Sequence, residues 1–227
     1  NYYYWNLKSL RDYMRDKGIV HVNEMDQEEF NKFLEHLMNN YTNPTTINTY
    51  LRATRAFLYY AMREGYVCKY DIHLVNEPEK PIDVYTEKEL EKLFKAPANL
   101  KKAAFTEYRN WILVQYLSET GNRRNSVINL KVNDVDFEQR YVKVRVTKNN
   151  KVLYSPISQT MTRILYNYII TWGLYDNDYL FPDTERKQMT ENAISKTIAR
   201  YNKSRGVNKT SIHLFRHTMA TNFIKDK

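Results

Sequence analysis

The sequence has a single cysteine, Cys68, and no long apolar run. One cysteine excludes an internal disulfide framework of the kind that holds small secreted folds together. The longest apolar stretches, such as residues 111–114, are far shorter than the roughly 20 residues that an α-helix needs to cross a bilayer. The chain also has no signal-peptide pattern, internal repeat or low-complexity tract. We therefore expect a cytoplasmic protein with no membrane role.

Basic side chains are distributed unevenly along the chain. Residues 1–80 hold 10 basic and 11 acidic side chains, whereas residues 81–227 hold 25 and 15. The net charge of +9 therefore comes from the second part. Such an excess favours a nucleic-acid partner, because lysine and arginine neutralise phosphates and release their counterions. A generally basic protein without this partner is the alternative.

The first 66 residues show the periodicity of amphipathic helices. Apolar side chains recur every three or four positions over residues 30–38. Asn43 and Pro44 then offer a helix N-cap followed by a proline in the first turn. With an earlier helix over residues 3–15, this part of the chain predicts a small all-α bundle.

A linker is predicted next. Residues 67–84 contain Pro78 and Pro81 among mixed polar residues and have no sustained period. We place a first domain, with its linker, at residues 1–80 and a second domain at residues 83–227.

The second domain is predicted to be mainly helical with one β-hairpin. Thr86 begins a capping box, and Ser158 and Thr190 are expected to cap two later helices. β-branched and basic residues alternate over residues 141–146, and an extended pattern resumes at residues 152–157. These two segments predict antiparallel strands.

Two short motifs indicate the chemistry. Thr120-Gly-Asn-Arg123 follows a predicted helix, and His213-Leu-Phe-Arg216-His217 lies on the last one. Histidine and arginine at i and i+3 project from one helix face and can converge on one anion, for which a phosphodiester is the natural candidate. A helix with a surface arginine and a half-buried histidine is the simpler interpretation of the second motif alone.

The order of these elements resembles the tyrosine recombinase family, also called phage-type integrases. The resemblance covers nearly the whole chain, from the helical bundle through the Thr-Gly-x-Arg motif and the hairpin to the His-x-x-Arg helix. It implies a mainly α fold, with an N-terminal SAM-like core-binding domain and a catalytic domain that contains a small antiparallel sheet. It also implies a site-specific recombinase that forms a 3′-phosphotyrosyl intermediate, integrates or excises a mobile element, works as a tetramer on double-stranded DNA, and uses no metal or cofactor.

The resemblance assigns catalytic roles to Arg123, Lys148, His213 and Arg216. Two guanidinium groups suit the negative charge that builds on the non-bridging oxygens of a phosphodiester during displacement. A hairpin lysine whose pKa is lowered by neighbouring cations could protonate the leaving 5′-hydroxyl. The histidine can share a proton with the phosphate or the nucleophile.

Two neighbours compete with the assigned positions, and two features depart from the family pattern. Arg124 and Lys151 are the neighbours, and the Thr-Gly-x-Arg frame favours Arg123 over Arg124. Ser126 stands where the family usually has an acidic residue. The sequence ends at Lys227, eleven residues past the second arginine, before the family's later histidine or tryptophan and its nucleophilic tyrosine. We expect a truncated member that binds DNA without cleaving it.

Two polar stripes are predicted to contact duplex DNA, which we expect to lie between the domains. A solvated surface is the common meaning of such stripes, but the positive charge favours DNA. The expected contacts are Asn48, Arg52 and Arg55 from the first domain and Lys196, Arg200 and Lys203 from the second.

Other functions stay open at this point. A metal-dependent nuclease would use Asp134 and Asp136, although no further histidine or glutamate lies at a ligand-like spacing. A non-catalytic sequence-specific DNA-binding protein would need only the basic helices. A protein-interaction domain would be indifferent to salt in any contact with DNA.

Overall fold

The structure is a computed structural model that describes residues 2–78, 81, 83–98, 104–145 and 151–225. The chain divides into two compact units, unit 1 at Asn1–Lys80 and unit 2 at Pro81–Lys227. Each unit has its own hydrophobic core. Within these described ranges no helix combines the length and the hydropathy needed to cross a membrane. The prediction of a mainly helical fold with one small sheet is confirmed.

Unit 1 contains the helices α1 (Tyr2–Asp16), α2 (Gln27–Asn40) and α3 (Pro44–Arg63). The Asn43 side chain caps α3 by accepting a hydrogen bond from the Thr45 N–H, so the predicted N-cap is confirmed. Helix α1 packs along α3. The core is formed by the apolar faces of the three helices, with side chains that include Leu10, Phe33, Leu37, Leu51 and Leu58.

Unit 2 is built around a helix that is buried on most of its sides. Its helices are α4 (Glu87–Phe94), α5 (Phe105–Thr120), α6 (Arg124–Ile128), α7 (Gln159–Trp172), α8 (Glu191–Ser204) and α9 (His213–Lys225). Helix α5 is the central one and contacts α4, α7, α8 and α9. The predicted N-caps Thr86, Ser158 and Thr190 are confirmed, since each side chain accepts a hydrogen bond from a backbone N–H in the first turn.

A three-stranded antiparallel sheet joins α6 to α7. Its strands are β1 (Val135–Asp136), β2 (Tyr141–Val144) and β3 (Leu153–Pro156), in the order β1-β2-β3. In β2 and β3, Val142 pairs with Ser155 and Val144 with Leu153, which confirms the predicted hairpin strands. Val142, Val144 and Ser155 are buried, so one face of the hairpin packs against the helices.

Candidate functional site

The turn between α5 and α6 brings the two sequence motifs into contact. Gly121 ends α5 in the left-handed conformation, with φ of +56°. A Cβ at this position would lie 3.7 Å from the Cα of Arg216, so α9 passes close to the turn. Arg216 Nη1 also donates a 2.7 Å hydrogen bond to the Gly121 carbonyl. The helix of the second predicted arginine is therefore fixed to the turn that leads into Arg123.

Arg123 and Arg124 have different surroundings. Arg124 Nη1 donates to Ser195 Oγ at 3.1 Å, and its Nη2 forms an ion pair with Glu191, both on α8. Arg123 precedes the first turn of α6, where its backbone carbonyl accepts from the Val127 N–H at 3.0 Å. Its side chain is exposed and has no hydrogen-bond or ion-pair partner among the described residues. Of the two neighbours, Arg123 is thus the one whose guanidinium can receive a ligand.

The exposed face of α9 carries the His-x-x-Arg motif. Phe215 is fully buried, and the centroid of its ring lies 4.5 Å from the ring centroid of Tyr85. Thr218 is also buried, and its hydroxyl accepts from the Tyr85 N–H at 2.9 Å. Because these two side chains point into the core, His213 and Arg216 lie on the opposite, exposed side of the helix.

A buried amide connects the same turn to the hairpin. Asn122 Nδ2 donates to Tyr116 Oη at 2.8 Å, and its Oδ1 accepts from Ser155 Oγ on β3 at 3.1 Å. Burial raises the pKa of the Tyr116 hydroxyl, so this group stays neutral at physiological pH. Sequence reasoning assigned no role to Asn122 or Ser155, because their contact joins positions 33 residues apart. Asn122 lies within the Thr120-Gly-Asn-Arg123 motif, but the motif does not indicate its buried partners.

The predicted hairpin lysine, Lys148, lies outside the described residues, in the segment 146–150. Its neighbour Lys151 is exposed. Ser126, at the position that is usually acidic in the family, is buried in α6.

The carboxylates considered for a metal site hold the chain around β1. Asp134 is buried and accepts from Arg145 Nε at 2.6 Å and from the Lys131 N–H at 3.0 Å. Asp136 accepts from the Gln139 N–H at 2.7 Å. In the ranges the structure describes, no group of three or more histidine, cysteine or acidic side chains is placed to bind a metal ion. The two carboxylates have structural partners instead.

Helix α8 presents the second predicted basic stripe. Ile194 and Ile198 are fully buried on its inner face. Lys196, Arg200 and Lys203 are exposed on the other side, and none of them has an ion-pair partner in the described part of the chain.

Two residues of the predicted stripe on α3 contact other parts of the chain. Asn48 is only 1% exposed, and its amide binds both the N–H and the carbonyl of Val75 at 2.8 Å. In this structure Asn48 thus binds the backbone of its own chain, at a position where the sequence predicts a contact with DNA. Arg52 is exposed but pairs with Glu77 at 3.2 Å. Arg55 is half-buried and has no ion-pair partner among the described residues.

The fold and this site define a class of protein: a helical unit followed by a helical unit with a small sheet, in which two arginine motifs meet at one turn. Two family models match the chain accordingly. The phage integrase family matches residues 83–227, and the phage integrase SAM-like domain matches residues 1–73. The chain belongs to the phage integrase family, the tyrosine recombinases.

Curated relatives and solved structures agree with this assignment. The tyrosine recombinase XerD of Staphylococcus epidermidis is 28% identical over 230 residues, which covers 97% of this chain and 77% of the relative. The XerH site-specific recombinase in its post-cleavage complex has a TM-score of 0.76 at 21% identity, covering 100% of this chain and 69% of the other. The Tn1549 transposon integrase in complex with transposon right-end DNA has a TM-score of 0.73 at 18% identity, covering 96% and 79%. These structures share the fold.

Proposed function

We propose that this chain is the DNA-binding and catalytic part of a site-specific recombinase, in which Arg123, Arg216, His213 and Lys148 act on one DNA phosphate. The observation that supports this most directly is the hydrogen bond from Arg216 to the Gly121 carbonyl. It joins the helix of one arginine to the turn that precedes the other. The exposed positions of Arg123 and His213 leave both side chains accessible to a phosphodiester.

In the proposed reaction a tyrosine oxygen attacks the phosphorus and the bond to the 5′-oxygen breaks. The two guanidinium groups bind the non-bridging oxygens, on which negative charge increases in the transition state. Lys148 gives a proton to the leaving 5′-oxygen, and His213 shares a proton with the phosphate or the nucleophile. The phosphotyrosyl bond keeps the energy of the broken linkage, so the reverse attack by a 5′-hydroxyl rejoins DNA without ATP.

The last tyrosine of the sequence is Tyr201, which precedes the His-x-x-Arg helix. The family resemblance puts the nucleophile after that helix. We therefore expect these 227 residues to bind DNA without forming the covalent bond. A stable adduct between this chain and a nicked DNA substrate, seen on a denaturing gel, would contradict this expectation.

The biological setting is proposed from similar proteins. One similar structure is the integrase of a transposon, and another is a λ integrase tetramer bound to a Holliday junction, with a TM-score of 0.70. We propose that the recombinase integrates or excises a mobile element and acts as a tetramer on double-stranded DNA.

Binding of DNA by α8 is tested by the dependence of affinity on salt. Each phosphate contact contributes about −0.9 to the slope of log K against log salt concentration. Replacing Lys196, Arg200 and Lys203 together by alanine is expected to make the slope shallower by about 2 to 3. Fluorescence anisotropy of a labelled duplex, titrated at several salt concentrations, measures this slope.

A matched triple variant, in which Lys17, Lys32 and Lys187 are replaced by alanine, removes the same charge from other exposed positions. It is expected to change the slope by less than about 1. Equal slopes for the two triple variants would exclude α8 as a DNA-contacting helix.

A non-catalytic sequence-specific DNA-binding protein is the second candidate, since the exposed basic face of α8 would serve it equally well. Strand cleavage separates the two functions, because only a recombinase needs Arg123 and Arg216 for breaking a phosphodiester bond.

A further inference from the structure

The segment of residues 72–77, here called the strap, lies along α3 through a row of polar contacts. The Ile72 N–H donates to Tyr59 Oη at 3.2 Å. Further along, Asn48 binds the N–H and the carbonyl of Val75, each at 2.8 Å. These contacts involve only neutral groups, so the backbone of the strap is held on α3 without any charge.

Glu77 adds a carboxylate at the end of this row. Its Oε1 accepts from Asn48 Nδ2 at 2.5 Å and from Arg52 Nη2 at 3.2 Å. Its Oε2 accepts from Thr45 Oγ1 at 2.9 Å. The exposed donors among these, the Thr45 hydroxyl and the Arg52 guanidinium, are also the kinds of group that proteins use to bind DNA phosphates. Glu77 thus accepts hydrogen bonds from groups that suit a phosphate.

The carboxylate is not needed to anchor the strap. The Arg52 and Glu77 side chains are 47% and 31% exposed, and ion pairs at such wet positions contribute little to stability. A neutral amide at position 77 would keep an oxygen that accepts from Asn48 and Arg52. The anchoring of the strap therefore does not explain why residue 77 carries a negative charge.

We propose that Glu77 is a specificity-determining residue that weakens phosphate binding at the Arg52 surface of α3 and so limits sequence-independent binding of DNA. This inference rests on the proposed function, because it assigns DNA as the partner of that surface. A phosphate that approaches Arg52 meets the like charge of Glu77 at short range. Repulsion between unit charges about 5 Å apart at a wet surface corresponds to roughly a three- to tenfold loss of affinity.

The test compares the full chain with its Glu77→Gln variant on a short random-sequence duplex. We expect the variant to bind about three to ten times more tightly at about 0.1 M salt. The slope of log K against log salt is expected to steepen by about 0.9, as one more phosphate is engaged. Glu64→Gln is the matched control, because Glu64 also pairs with an arginine, Arg63, at 3.2 Å. It is expected to change the affinity less than about twofold.

Arg52→Ala completes the comparison. In the Glu77→Gln background it should abolish the increase in DNA affinity that the glutamine causes. In the wild-type background, where Glu77 is present, the same change should lower the DNA affinity by a smaller factor. Thermal unfolding by circular dichroism verifies that each variant is folded.

The possible failures are distinguishable. If the wild-type chain binds DNA while Glu77→Gln binds no more tightly than Glu64→Gln, the inference is overturned and the proposed function stands. Weaker binding by Glu77→Gln would mean that Glu77 orients Arg52 for DNA, which also overturns it. If the wild-type chain binds no duplex even at low salt, the proposed function fails and the inference fails with it.

Discussion

Gly121 shows at the scale of a single residue how the backbone positions the candidate site. It combines a left-handed conformation with the close approach of α9, two conditions that a side chain at this position would disturb. The turn it forms accepts the hydrogen bond from Arg216 and leads directly into Arg123. The geometry of the arginine pair therefore depends on a residue that has no side chain.

Gly173 provides a matched comparison for Gly121. It ends α7 with the same φ of +56°, but nothing lies within 4 Å of the Cβ that would be added there. We expect Gly173→Ala to destabilise the protein by about 1 kcal/mol, the cost of a left-handed alanine. Gly121→Ala should cost about 1 kcal/mol more, because the added Cβ would lie 2.3 Å from Met219 Cε and force that side chain to move.

Urea unfolding of the two glycine variants measures this difference. Equal losses of unfolding free energy would show that the contact between α9 and the turn does not restrict the size of the side chain at residue 121.

At the scale of elements, the start of α4 is stabilised by a carboxylate with several partners. Glu89 accepts from the Thr86 N–H at 2.8 Å and from Lys209 Nζ at 3.1 Å. Burial alone would raise the pKa of Glu89, but the hydrogen bonds from Thr86 and Lys209 outweigh it, and the pKa lies below the ordinary value of 4.5. The ionised carboxylate thus stabilises the cap and its link to the loop before α9.

Glu89→Gln should lower the unfolding free energy by about 1 kcal/mol at neutral pH. Because the folded pKa is depressed, the stabilisation is present above the ordinary pKa of 4.5 and is lost as the pH falls through the folded value. The difference between wild type and variant should therefore shrink below about pH 4. Glu87→Gln, in the same first turn, is the control and should cost less at every pH. A difference for Glu89→Gln that does not change with pH would contradict the assigned ionisation.

The helices and the hairpin could be predicted because their signals are local. Thr86, Ser158 and Thr190 cap helices through hydrogen bonds that span three residues. The contact of Asn48 on α3 with its own chain could not be predicted, because a polar helix face has the same spacing whether it meets DNA or another segment of the chain. The contact between Asn48 and Val75 spans 27 residues, so the periodicity of the sequence does not indicate it. The link between Asn122 and the hairpin was missed for the same reason.

At the scale of the whole molecule, the excess positive charge and the candidate site are both in unit 2. The excess of basic side chains lies in residues 81–227, together with both arginine motifs and the exposed stripe of α8. Unit 1 carries nearly balanced charge, and its Arg52 faces an acidic partner. We therefore expect unit 2 to supply most of the salt-dependent affinity for DNA.

The central claim is that Arg123 and Arg216 bind one scissile phosphate, and covalent adduct formation tests it most directly. The assay uses the protein expressed from its complete gene and a nicked duplex that carries a binding site selected from random sequence. Arg123→Ala and Arg216→Ala should each lower the yield of protein–DNA adduct about 100-fold or more, with duplex affinity mostly retained. Arg124→Ala, which removes an arginine held by α8, should keep most of the activity. Undiminished adduct from Arg123→Ala, or its loss only in Arg124→Ala, would contradict the account.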